Sequence, residues 1–95
     1  MKTYQVFLGT NKPSGGIVNT YEWSQFLKQI DATFSEGYTV QKAIGRWQGV
    51  NENTFLLTVI TDELKTLQSL CLTYKQLFDQ ESVLIQELPT TPIFI

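Results

Sequence analysis

The 95-residue chain has no histidine, one cysteine (Cys71) and one arginine (Arg46). Each shortage removes a class of chemistry. Without His, no Ser–His or Cys–His pair can activate a nucleophile. A single Cys cannot close a disulfide within the chain, and without His it all but excludes a His/Cys zinc site within one chain. Basic charge is scarce too. Seven Lys and Arg stand against nine Asp and Glu, a net charge of −2, which argues against binding a polyanion. Long apolar runs are missing. Val6-Phe7-Leu8 gives way to Gly9, far short of the roughly 7–15 residues of a signal peptide or the ~18 of a membrane span. The expectation is a cytoplasmic protein with no nucleic-acid or membrane partner, no metal and no cofactor. No phosphate-loop, dinucleotide, calcium-loop or HExxH motif occurs. The Gly15-Gly16 pair follows Lys12 rather than preceding it, so the segment reads as a plain connection.

With 42% apolar and 17% charged residues, the chain is globular rather than disordered. Its length suits one domain spanning residues 1–95. Thr3–Gly9 alternates, with Tyr4, Val6 and Leu8 on one face, as a strand does. Asn19 followed by Glu22 is a capping-box pair that opens a helix. Trp23, Phe26, Leu27, Ile30 and Phe34 then recur at spacings of three and four, an apolar stripe in which Trp23 reads as core. Gly37 is the expected left-handed residue after that helix. Tyr38–Trp47 and Thr54–Thr61 read as two strands joined by a loop at residues 49–53, a hairpin with a longer connection. Ala43 and Gly45 share one face of the first of these strands, which invites close approach by a helix or another chain.

Asp62-Glu63 opens a second helix, with acid at the positive end of its dipole. Its stripe is Leu64, Leu67, Leu70, Cys71, Tyr74, Leu77 and Phe78, so Cys71 reads as a small buried hydrophobe. Ser82–Leu88 is the last strand. The tail 89–95 ends in Ile93-Phe94-Ile95, too apolar to fray freely, and is expected to dock or to add an edge strand.

Strand–helix–strand–strand–helix–strand is the order of two split βαβ units. It predicts an α+β, ferredoxin-like βαββαβ sandwich: a four-stranded antiparallel sheet with both helices on one face. The other face would carry Phe7, Leu56, Ile60, Leu84 and Leu88, or the opposite set if the register differs. An apolar face of that size implies homo-oligomerisation. RNA recognition on such a sheet needs stacking aromatics on its inner strands and basic flanks. The third strand offers Leu56, Thr58 and Ile60 instead.

Gly45-Arg46-Trp47-Gln48-Gly49 is the densest polar-aromatic cluster. Arg46 offers a planar fork for an anionic group, and Trp47 offers a face for stacking or for a cation. Tyr38 and Glu52 join them as ligand candidates by strand and loop proximity. The alternative is a packed hairpin end with a solvated Arg. No catalytic residue stands out.

Trp23-x-x-Phe26, Gly37-Tyr38-Thr39-Val40, Gly45-Arg46-Trp47 and Phe78-x-Gln80-Glu81-Ser82-Val83 resemble the pattern of a bacterial family of small proteins with no established reaction. The similarity spans residues 4–85. The layout also resembles PII-like proteins, trimers that bind nucleotides or other small ligands in clefts between subunits, and phage S-adenosylmethionine lyases. That likeness implies a small-molecule-binding homo-oligomer, a trimer or else a dimer, with sites at subunit clefts. Two other readings stand beside it: an interaction module without ligand, and a lyase. In a lyase the substrate's own carboxylate would attack its sulfonium centre, a reaction that needs positioning more than an acid or a base.

Overall fold

The computed structural model describes all residues, Met1–Ile95. The chain runs β1 (Lys2–Gly9), α1 (Thr20–Thr33), β2 (Thr39–Trp47), β3 (Val50–Thr61), α2 (Leu64–Leu77) and β4 (Leu84–Leu88). The strands form one sheet in the order β2-β3-β1-β4, every neighbouring pair antiparallel. This is the expected ferredoxin-like βαββαβ arrangement. No helix is long and apolar enough to cross a membrane.

The alternation in β1 decides what is buried. Tyr4, Val6 and Leu8 point toward the helices and pair with Val59, Leu57 and Phe55. They join Phe26, Ile30, Leu67, Leu70, Cys71, Tyr74 and Phe78 in one core. Burial lifts the Cys71 thiol to a pKa of about 11, consistent with a packing role. Trp23 stacks flat on Phe55 with ring centroids 3.7 Å apart, and Phe26, Tyr74 and Phe78 meet edge to face. Stacked and edge-to-face rings each suit the aromatic quadrupole. Trp23 is therefore core, as its spacing indicated.

Helix α1 opens with the expected capping box. The Glu22 backbone N–H donates to Asn19 Oδ1 at 2.8 Å, and the Asn19 N–H donates to Glu22 Oε1 at 3.1 Å. Lys12 Nζ, from the β1–α1 connection, clamps the same carboxylate at 2.8 Å. The hydrogen bond from Lys12 and then that from Asn19 hold the Glu22 carboxyl below its usual pKa.

Three expectations differ from the structure. Residues 50–53 are strand, not loop: Gln48 and Gly49 have φ of 49° and 79°, and two left-handed residues make a tight turn whose twist matches the flanking strands. The β2–β3 hairpin consequently runs to Trp47↔Val50, four residues of β3 past the last β1 pairing at Gly9↔Thr54. Helix α1 ends at Thr33 with Phe34 as its cap, so Gly37 belongs to the following turn. The tail 89–95 does not add the edge strand that is one of its two expected roles; Ile93, Phe94 and Ile95 are exposed, and docking on a partner is untouched by this.

Candidate functional site

The sheet face away from the helices carries Phe7, Leu56, Ile60, Leu84 and Leu88, the first of the two sets the sequence allowed. Phe7 pairs with both Leu56 and Leu84, and Thr3 with both Ile60 and Leu88. Around them lie Gln5, Thr58, Gln86, Gln41, Ala43 and Gly45. No helix packs on this face: Leu84 is 52% exposed, Phe7, Leu56, Ile60 and Leu88 are partly buried, and the tail touches its edge where the Thr90 hydroxyl meets Thr3 Oγ1 at 3.4 Å. Glu52 is its one charged residue.

Glu52 reaches this position because the hairpin outruns β1. It pairs with Gly45 on β2, and its carboxylate folds back over Gly9. A Cβ at Gly9 would lie 2.7 Å from Glu52 Oε2, so a side chain there would push the carboxylate out of this position. The Asn11 backbone N–H donates to the same oxygen at 2.8 Å. Asn11 Oδ1 plays no part in this; its amide Nδ2 donates to the Asn51 carbonyl at 3.4 Å. The result is a half-buried carboxylate fixed by backbone geometry. Behind it the Tyr74 hydroxyl donates to the Gly9 carbonyl at 2.6 Å. Burial first, then the nearby charges of Glu52 and Glu22, push the Tyr74 pKa upward, so this phenol stays a donor.

The four candidate residues separate into distinct places. Trp47 pairs with Val50, next along the open face from the Gly45–Glu52 pair, a diagonal step of roughly 7–8 Å. It is 71% exposed. Trp47 and Glu52 therefore share the open face near the hairpin end, with the Glu52 carboxylate directed to the β1 side, at Gly9 and Asn11. Arg46 alternates onto the helix side of the ribbon, where Nη1 donates to Asn51 Oδ1 at 2.8 Å. Tyr38 lies at the far end of β2, nine residues from Trp47, or about 30 Å along an extended strand. It packs against the core, and its hydroxyl donates to Asp31 Oδ1 at 3.1 Å. Partial burial, then Asp31, raise its pKa.

Gly9, Asn11 and Tyr74 were not singled out from the sequence. Gly9 carried a legible signal, a glycine closing an alternating strand, but its partner depends on the register of β3. Several clefts indent the surface. One of about 450 Å³ lies along β2, lined by Ile17, Lys42, Ala43, Ile44, Asn53 and Phe55 among others. One of about 410 Å³ lies at the opposite end, between the α1 C-terminus and Ile60–Glu63. Neither includes a candidate residue. The acidic side chains nowhere gather in a set of three that could hold a metal ion.

Among solved structures, the fold is similar to that of a phage SAM lyase in its apo state. That likeness covers 90% of this chain and 79% of the other at 22% sequence identity, with a TM-score of 0.59. No curated protein matches the sequence. A family model does match residues 3–94, nearly the whole domain, and the chain belongs to that family, described as a protein of unknown function (DUF3574).

Proposed function

We propose that the protein is a small-molecule-binding homo-oligomer whose site lies at the β2–β3 hairpin end, in the cleft between copies, and takes a nucleoside-type metabolite bearing a cationic centre. One observation carries this reading: the half-buried Glu52 carboxylate, held over Gly9 by the Asn11 N–H, is the only charge on an otherwise neutral face, and its backbone position is one diagonal step from that of the exposed Trp47. A fixed anion beside an aromatic face is a recognition pair for an onium centre, which gains from both the charge and the ring quadrupole. Trp47 also offers a stacking surface for a base. The uncovered apolar face supplies the drive to assemble, and assembly would enclose Glu52 and raise the strength of its interactions by excluding water.

S-adenosylmethionine is the first candidate, since it joins an adenine to a sulfonium and the fold neighbour is named for acting on SAM. Should turnover follow binding, the balanced step is internal to the substrate. Its carboxylate oxygen attacks the γ-carbon, the C–S bond breaks, and the electron pair leaves on sulfur, giving methylthioadenosine and homoserine lactone. No proton is required from the protein, which suits a chain without His.

The test is a melting-shift panel of S-adenosylmethionine, adenine nucleotides and cyclic nucleotides, followed by product analysis. A stabilising shift is expected with S-adenosylmethionine, growing with the logarithm of its concentration. Glu52→Gln keeps an acceptor for the Asn11 N–H and removes the charge. It should weaken binding about tenfold or more, corresponding to the 1.5–3 kcal/mol of a charged contact, with the apo melting temperature nearly unchanged. A panel without a shift overturns the reading and leaves an interaction module.

A further inference from the structure

Both edges of the sheet are open, and they are not alike. On β2 every residue except Val40 and Gly45 is exposed, so a nine-residue edge presents unpaired backbone groups. The opposite edge, β4, has only five residues. Because each neighbouring pair is antiparallel in the order β2-β3-β1-β4, β2 and β4 run in opposite directions. The β4 of a second copy in the same orientation can therefore lie antiparallel beside β2.

The side chains on the helix side of the two edges complement one another. Lys42, Ile44 and Arg46 alternate on β2, opposite Phe55, Asn53 and Asn51 of β3. Ile85 and Glu87 alternate on β4, opposite Val6 and Tyr4. Lys42 makes no ion pair within its chain, and Arg46 contacts only a neutral amide. Glu87 is half exposed, with Lys2 3.4 Å away as its own-chain partner. Placing Lys42 opposite Glu87 sets Ile44 opposite Ile85. The same register lays the exposed Leu84 over Gly45, and Gln86 over Ala43, on the open face. Those two small residues then meet the close approach that their size permits.

We propose that copies of this chain join edge to edge, β2 of one to β4 of the next, in the register that pairs Lys42 with Glu87. The contact is head to tail, so it closes only as a ring. Rotation about an axis along the strands puts every helix layer outside and every open sheet face, Glu52 its single charge, inside. One arrangement thus removes both open edges and the apolar face from water. It also brings the start of the next copy's β4, Leu84, beside Gly45, across β2 from Glu52 and two residues short of Trp47. This deepens the proposed binding site by naming what forms its other wall, but it stands or falls on assembly alone.

The test is oxidative cross-linking of a Lys42→Cys/Glu87→Cys variant, both positions being exposed. The native Cys71 is buried and does not compete. Directly opposed strand residues have Cβ atoms roughly 4.5–5.5 Å apart, within reach of a disulfide after slight adjustment. Mild oxidation should yield a covalent ladder ending at the ring size that light scattering gives for the wild type. Arg46→Cys/Glu87→Cys, out of register, should yield no ladder. A wild-type monomer, or an oligomer in which 42 and 87 do not cross-link, overturns the proposal. A ring that forms and ignores every ligand leaves it standing and refutes only the binding reading.

Discussion

Removing one oxygen atom from Tyr74 should be among the costlier small changes available in this protein. Tyr74 is fully buried, on the face of α2 that meets the sheet. Its hydroxyl donates at 2.6 Å to the Gly9 carbonyl, at the end of β1. The β1–β4 ladder stops two residues earlier, at Phe7↔Leu84, so the Gly9 carbonyl points where no strand can serve it and a phenol does so instead. Tyr74→Phe keeps the ring and its edge-to-face contacts with Phe26 and Phe78. Only the hydrogen bond is lost. A net hydrogen bond contributes about 0.5–1.5 kcal/mol, and stranding a buried acceptor costs about 1–3 kcal/mol. The observed loss should therefore fall at about 1–3 kcal/mol, in urea melts at one fixed protein concentration because assembly contributes to apparent stability. The slope of free energy against urea should not change, since the surface exposed on unfolding is the same. A loss under about 0.5 kcal/mol, the size of an ordinary surface change, would refute the reasoning and mean that the carbonyl finds another donor.

Two further outcomes check the core and the cap. Phe26→Ala, in the centre of the aromatic cluster, should cost about 3–5 kcal/mol, and Lys28→Ala on the exposed side of α1 should stay within about 0.5 kcal/mol; equal effects in the same melts would mean the stripe is misassigned. Glu22 has a folded pKa below its unfolded value, so its contribution is complete above about pH 4.3 and is lost as the pH falls through the lower, folded value. Acid titration of Glu22→Gln should accordingly show a shallower loss of stability below pH ~4.3 than wild type, and an unchanged slope there would count against the Lys12–Glu22–Asn19 arrangement.

Local signals made most of the fold legible. The capping box at Asn19 and Glu22, the two helical stripes and the alternation of β1 depend on neighbours a few residues apart, and the sequence states such spacings directly. The turn was harder. Gln48-Gly49 lacks the Asn or Asp that usually marks a tight hairpin, so the strand's first residues read as loop. The candidate site suffered from the same cause. Arg46 and Trp47 are adjacent in sequence, and adjacency on a strand means opposite faces. Tyr38 was close to them in sequence but at the other end of a nine-residue strand. Glu52 could be placed near Trp47, whereas its seat over Gly9 required the register between β1 and β3. The Tyr74–Gly9 bond and the Trp23–Phe55 stack are likewise products of topology, invisible until the elements are assembled.

The seat of Glu52 over Gly9 ties two distant positions into one inheritance. At position 9 the backbone is ordinary strand and would accept any residue; what a side chain would displace is the carboxylate, with Oε2 2.7 Å and the carboxyl carbon 2.8 Å from where a Cβ would be. A chain built on this fold can keep a side chain at 9 or an acid folded back from 52, but not both. Relatives that retain the pair retain the anion on the sheet face. A methyl group gained at 9 would push the carboxylate of residue 52 out of this seat. The two positions together therefore decide whether an anion sits at this point of the sheet face.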